Sequence, residues 1–271
     1  MKTCCLYQLV VILVICSTLF ITHVQTKAIE GRIISGTAAA PNQFPYHVIL
    51  KKDEYDSVRC GGSIISDSWV LTAAHCTSGF TSMLLVFGTI ELANDAINMT
   101  ATQFFIHPQY NATNLNNDVS LIQLPTPLTF TSSIQPITLV TSLQAANGFI
   151  GDQATITGFG LMDDEYLDYS EVLLFAQVQI VKNSVCSIEF GNDVVKDSTL
   201  CAKGANGSNM SICSGDSGGA LVWQNVDGSY VQIGINSFVA EDQCTDSLPS
   251  GYVRLSSYLT FISSVSGINV S

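Results

Sequence analysis

The strongest constraint on this chain is the cadence of its short apolar runs. From Ile33 onward, segments such as Tyr46-His-Val-Ile-Leu50, Ser63-Ile-Ile65, Trp69-Val-Leu71 and Met83-Leu-Leu-Val-Phe87 alternate with turn residues. They are rich in β-branched and aromatic side chains, which fit a pleated, half-buried surface better than a helix. A second strand-rich stretch runs from about Asp152 to Arg254, through Ala154-Thr-Ile-Thr157, Ala176-Gln-Val-Gln-Ile-Val181, Leu221-Val-Trp223 and Val231-Gln-Ile-Gly-Ile235. Between the two, residues 138–151 are polar and weakly patterned. Helical periodicity emerges at the close, where Leu255, Tyr258, Leu259, Ile262 and Val265 recur at helical spacing. That pattern predicts a packing helix over about 256–266, with Ser256 or Ser257 as its cap. The whole predicts an all-β protein of closed or packed antiparallel sheets, in halves of about 33–145 and 146–255.

The first 32 residues read differently. Lys2 precedes an apolar run from Leu9 to Ile21, the length of a signal-peptide core and short for a bilayer span. Residues 1–26 are therefore expected to be a signal peptide, and the protein to be secreted and extracellular, with no membrane partner. The hexapeptide Lys27-Ala-Ile-Glu-Gly-Arg32 before Ile33-Ile-Ser-Gly36 has the form of a propeptide, 27–32, cut after Arg32. Cys4, Cys5 and Cys16 would leave with the leader. The remaining Cys60, Cys76, Cys186, Cys201, Cys213 and Cys244 form an even set suited to an oxidising compartment, with their pairing left open. No Cys-x-x-Cys pair and no loop of converging oxygens points to a metal, so no metal or cofactor is expected. A net charge of −12 disfavours nucleic acid, whose phosphates would repel such a surface.

Three pieces carry chemistry. In Cys213-Ser-Gly-Asp-Ser-Gly-Gly-Ala220, glycines around Ser217 let the backbone approach a ligand and turn amides toward it. A serine hydroxyl is a weak nucleophile near neutral pH, and needs a base and a group to orient that base. His75, in Leu71-Thr-Ala-Ala-His-Cys76, and Asp118, in Asn116-Asn-Asp-Val-Ser-Leu-Ile122, supply one of each. Each piece alone has a plainer reading as a turn or a structural side chain. Together, in the order His, Asp, Ser, they match a known acyl-transfer order.

On these motifs the chain resembles the chymotrypsin-like serine proteases, and most closely the secreted arthropod members. The resemblance implies two antiparallel six-stranded barrels with a C-terminal helix, the protease domain spanning 33–271 and its site in the cleft between the barrels. It implies a serine endopeptidase, catalytic residues His75, Asp118 and Ser217, and an oxyanion hole from the amides of Gly215 and Ser217. It also implies the pairs Cys60–Cys76, Cys186–Cys201 and Cys213–Cys244. Cleavage after Arg32 would free the amine of Ile33, which would turn inward and pair with Asp216. Ser211 would floor the primary pocket, with walls from Ser237, Phe238 and Val239 and from Ser250. An uncharged Ser211 disfavours basic P1 residues, and Val239 narrows the slot. Apolar P1 residues are expected, with Leu, Ala or Val ahead of Phe or Tyr, elastase-like rather than chymotrypsin-like. Partners would be protein or peptide substrates, an activating trypsin-like protease and serine protease inhibitors, with the enzyme a monomer of broad, digestive type. The alternatives are a non-catalytic binding homologue of the same fold, or a narrow cascade protease.

Other signals stand apart from this reading. Asn-x-Ser/Thr triplets begin at Asn98, Asn111, Asn206, Asn209 and Asn269. The acidic run Asp163-Asp-Glu-Tyr-Leu-Asp168, and Asp242 and Asp246, read as solvated carboxylates.

Overall fold

The computed structural model describes residues 33–55, 58–92, 96–146, 148–162, 169–240 and 243–270. The leader, the hexapeptide ending at Arg32, the acidic run 163–168 and Asp242 lie outside the described residues.

The first half is a sheet of β1 (His47–Lys51), β2 (Cys60–Ile64), β3 (Trp69–Thr72), β4 (Met83–Phe87), β5 (Ile97–Ala101), β6 (Gln103–Ile106) and β7 (Ser120–Gln123). Its order is β5-β4-β1-β2-β3-β7-β6, with every described ladder antiparallel. The two edge strands are neighbours in sequence, separated by Thr102 alone. One bent strand therefore pairs with β4 by its first part and with β7 by its second. The sheet curls back on itself through the chain, leaving little open edge of the kind that invites aggregation.

The second half contains β8 (Gln153–Gly158), β9 (Leu174–Val181), β10 (Thr199–Gly204), β11 (Ala220–Gln224), β12 (Tyr230–Phe238) and β13 (Ser250–Arg254). The order β9-β8-β11-β12-β13-β10 is closed by pairing of β9 with β10, which makes a complete six-stranded barrel. Alternation decides which side chains fill it. In β9, Leu174, Ala176, Val178 and Ile180 are buried while the residues between them are more exposed, as a period of two requires. β12 is buried along nearly its whole length. A register shift between Asn236 and Phe238 leaves Ser237 bulged out of the β12–β13 ladder, and bulges re-aim side chains.

The halves share one apolar core running from Ile33 to Ile262. Two short strands stitch them together. Thr37–Ala38 pairs with Phe175 and Leu174 of β9, and Thr138–Leu139 pairs in parallel with Val231 and Gln232 of β12. The polar link holds a single helical turn, Ser142–Ala145. In its capping box Thr141 accepts from the Gln144 amide and the Gln144 side chain accepts from the Thr141 amide.

One local expectation needs correction, and one helix lies where the sequence predicts none. A helix at Asn183–Phe190 was not foreseen: only Cys186 on it is buried, so it carries little amphipathic pattern. The closing helix spans Leu259–Ser266, and its cap position is Tyr258, without a side-chain cap. Ser256 and Ser257 belong instead to a preceding 3₁₀ turn, Leu255–Ser257. Tyr258 nevertheless anchors the helix, because its hydroxyl donates to Asn117 Oδ1 at 3.1 Å and its ring meets His107 edge-on. Among the described residues no helix is long and apolar enough to cross a membrane.

Candidate active site

The first half contributes an imidazole and a carboxylate. β3 runs into the short helix Ala74–Thr77, which presents His75, and the Cys60–Cys76 disulfide ties that turn to β2. Asp118 follows a tight loop in which Leu115 and Asn117 adopt left-handed backbone conformations. Its carboxylate is fully buried, yet three donors surround it. The His75 backbone amide donates to Oδ1 at 2.9 Å, His75 Nδ1 meets Oδ2 at 2.8 Å, and the Ser237 hydroxyl donates to Oδ2 at 2.7 Å. The double hold by His75 fixes both the position of its turn and the plane of its ring. With Nδ1 bound to the carboxylate, the proton sits on Nδ1 and Nε2 is free to accept one. The His75 side chain is 24 % exposed.

The second half contributes the hydroxyl. The loop from Cys213 to Ala220 is held by its own backbone: Asp216 N–H donates to Cys213 O, Gly219 N–H to Asp216 O, and Gly218 N–H to Asn236 O. The Asn236 side-chain amide donates to Asp216 O at 2.9 Å. Across the cleft, Gly61 N–H of β2 donates to Ser217 O at 2.7 Å. Gly218 sits at φ +80°, and a Cβ there would lie 2.2 Å from Thr72 Oγ1 and 2.5 Å from Gly61 O. A side chain at this position would push the Ser217 loop away from the turn that bears His75. Among the described residues the amides of Gly215 and Ser217 donate to no protein acceptor, which leaves two donors uncommitted in the Ser217 loop. Preorganised donors of this kind stabilise an oxyanion.

Asp216 is the second buried carboxylate, 1 % exposed. Oδ1 accepts from Gly160 N–H at 2.8 Å and Oδ2 from Cys213 N–H at 2.9 Å. Burial pushes its pKa up to about 7, against the pull of those two amides. It fits only because Gly158 and Gly160 lack side chains: Cβ atoms there would stand 1.9 Å and 2.6 Å from it. Ile33 is fully buried, and Ile34 bridges to Ser211 and packs with Leu161, Cys213 and Cys244. The start of the described chain thus enters the interior alongside the loop that carries Asp216.

Ser211, Ser237 and Ser250 are buried, and Phe238 and Val239 are half-buried. Ser250 and Tyr252 share a hydrogen bond between hydroxyls at 2.7 Å. Val239 packs on the Cys213–Cys244 disulfide. The Phe238 ring covers the face of Gly251, where a Cβ would lie 2.0 Å from it, and meets Phe190 edge-on at 5.0 Å. The third disulfide, Cys186–Cys201, ties the helix Asn183–Phe190 to β10. His75 also lies close to the sulfurs of Cys60 and Cys76, but those sulfurs are bonded to each other and supply no thiolate.

Sequence reasoning missed several residues here. Gly158 and Gly160 accommodate Asp216, Gly61 grips Ser217, and Asn236 braces the loop. Their only sequence trace is the Gly158-Phe-Gly160 spacing, which acquires meaning once Asp216 is seen between those glycines.

A histidine held by a buried carboxylate, facing a serine loop across two β-halves, is the arrangement of a serine hydrolase. The comparisons narrow the class. The Trypsin family model matches residues 33–262, and the chain belongs to that family and is a serine endopeptidase. It is 34 % identical to brachyurin of Leptuca pugilator over 239 residues, covering 87 % of this chain and 99 % of the relative. It is 35 % identical to a chymotrypsin of Phaedon cochleariae over 234 residues, covering 85 % and 80 %. The solved structure of HL collagenase superposes with a TM-score of 0.77 at 30 % identity, over 87 % of this chain and 99 % of that one.

Proposed function

We propose that this endopeptidase is exported as a zymogen, is activated by a trypsin-like protease at Arg32, and then cleaves after apolar P1 residues as a monomer. The observation that carries the catalytic assignment is the double hold of His75 on Asp118. In the proposed reaction Ser217 Oγ loses its proton to His75 Nε2 and attacks the scissile carbonyl carbon. The amides of Gly215 and Ser217 receive the oxyanion. On collapse the peptide C–N bond breaks, and His75 returns the proton to the departing amine. Water, deprotonated by His75, then releases the acyl group from Ser217. Throughout, Asp118 keeps the proton on Nδ1 and stabilises the imidazolium.

Activation rests on charge. Among the described residues Asp216 has two amide partners and no cation, and a buried carboxylate so placed is poorly compensated. An ammonium on Ile33, formed by cleavage after Arg32, would complete it and set the Gly215–Ser217 backbone. Primary specificity rests on the uncharged, buried Ser211 and Ser250 and on Val239 beside the disulfide, which favour Leu, Ala or Val and offer nothing to a guanidinium.

The test uses protein cleaved after Arg32. A fluorophosphonate labels Ser217, and Ser217→Ala loses on the order of 10⁴–10⁶ in kcat. A P1-diverse peptide library gives turnover after Leu, Ala or Val and little after Arg or Lys. Absence of labelling after cleavage sinks the catalytic assignment. A preference for Arg sinks the pocket assignment alone.

A further inference from the structure

The Asn-x-Ser/Thr triplets have no part in the proteolytic reading, and the fold treats them unequally. An N-linked glycan is bulky and needs the asparagine nitrogen directed to open solvent in the finished fold. Asn209 fails that condition. Its Oδ1 accepts from the Ser35 hydroxyl at 2.7 Å, its nitrogen is directed at Thr245 O, and its acceptor residue Ser211 is buried. A glycan there would wedge open the seat of Ile33 and Ile34. At Asn206 the hydroxyl of Ser208 is already committed to Ala205 O at 2.8 Å. Asn98 is exposed but lies in the β4–β5 ladder opposite Val86, in extended backbone.

Asn111-Ala-Thr113 differs from all of these. The three residues are exposed, on a loop whose base is pinned by pairing of Asn111 with Asn116. Thr113 N–H donates to Asn111 Oδ1 at 2.9 Å, so the triplet is a compact turn. Among the described residues the Asn111 side-chain nitrogen Nδ2 and the Thr113 hydroxyl make no hydrogen bond, so both are available. The loop also leads into Asp118: Asn116 and Asn117 immediately precede it and line one cavity with it, Ser237 and Phe238.

We propose that Asn111 carries an N-linked glycan that stands at the rim of the active-site cleft and restricts large substrates, while Asn209 stays bare. This rests on the export reading above. The full chain is expressed in a secreting insect cell line and collected from the medium. Release of glycans by peptide N-glycosidase F in ¹⁸O-water marks each occupied asparagine by mass. The mark is expected at Asn111 and not at Asn209. After activation, Asn111→Gln and Thr113→Ala are expected to raise kcat/KM for a folded protein substrate by about two- to fivefold relative to the unaltered protein. Thr113→Ser, which keeps the acceptor hydroxyl, stays at the unaltered value, and a short peptide substrate does not distinguish the four proteins. Exported protein with Asn111 unmarked, or with Asn209 marked, overturns the assignment. Marked Asn111 with no change in the substrate ratio overturns the rim role. Retention of the protein inside the cell overturns the export reading and this one with it.

Discussion

Asp118 and Asp216 are both carboxylates sealed from water, one in each half of the molecule, and they are satisfied in opposite ways. Asp118 receives a backbone amide, an imidazole nitrogen and a hydroxyl, all from within the fold. Among the described residues Asp216 receives two backbone amides and no other donor, and its pKa is pushed up to about 7. The first is finished when the chain folds. The second is built to a point where one cation would complete it. The contrast teaches that a buried acid with an incomplete shell is suited to regulation, whereas one with a full shell is suited to holding a base still.

The comparison breaks most sharply at Asp118. In the cleaved enzyme, Asp118→Asn is expected to lose about 10⁴ in kcat while the melting temperature stays within a few degrees, because the amide preserves shape but offers a donor to donors. Activity within tenfold of the parent, measured on a short peptide, would show that this carboxylate does not govern the imidazole. Asp216→Asn comes next. Losing one partner of a buried ion pair costs about 3–5 kcal/mol, which predicts a drop of about 10²–10⁴ in activity despite complete cleavage at Arg32. A fully active cleaved variant removes the amine–carboxylate switch.

A pH comparison sharpens the same point. In the intact chain Asp216 has a folded pKa of about 7, above its unfolded value of about 4. The folded state therefore binds the extra proton, and stability falls as pH rises from about 4 to about 7, by at most ~4 kcal/mol. His47 acts oppositely. It is buried, with Nδ1 3.1 Å from Thr157 Oγ1, and burial lowers its pKa to about 4. The unfolded state then binds the extra proton, so its contribution is full above about 6.5 and is lost as pH falls toward 4. In the precursor the two slopes oppose and the profile is shallow. If the proposed cleavage supplies Asp216 with a cation, only the His47 slope is left, and the cleaved form is expected to gain stability as pH rises from about 4 to about 6.5. Urea midpoints of the Ser217→Ala protein, before and after cleavage, measure this; parallel profiles would contradict it. The smallest effect is expected at Ser237→Ala. Removing one of three donors to Asp118 costs about 1.5 kcal/mol, or about tenfold in kcat/KM. A loss as large as that of Asp118→Asn would mean that the hydroxyl, rather than His75, holds the carboxylate in place.

Much of the architecture was legible before any coordinates. Met83–Phe87 is a strand at the boundaries its apolar run suggests, and Val231–Ile235 lies inside β12. These runs are long, β-branched and bounded by turn residues, so local preference and tertiary burial agree. The helix Asn183–Phe190 was hidden because packing, not periodicity, sustains it: Cys186 is its buried anchor and Ile188 is 87 % exposed. The Ser256 and Ser257 caps failed for a related reason. The chain turns there in a 3₁₀ step before the α-helix begins at Leu259, and Tyr258 is secured by Asn117 instead.

The sequence alone determined the chemistry on offer: a serine among glycines, a histidine beside a cysteine, an aspartate before a strand, and an even set of six cysteines from Cys60 onward. It also determined the cadence that makes strands of most of the chain. Only the tertiary structure decided which atoms meet. Asp118 lies 43 residues from His75 and 119 from Ser237, and Gly160 lies 56 from Asp216, separations across which no local pattern carries information. The reason is energetic. A carboxylate taken out of water must find its donors wherever the folded chain brings them: Asp118 is complete only once both halves have closed around it, and Asp216 only once the second half has folded.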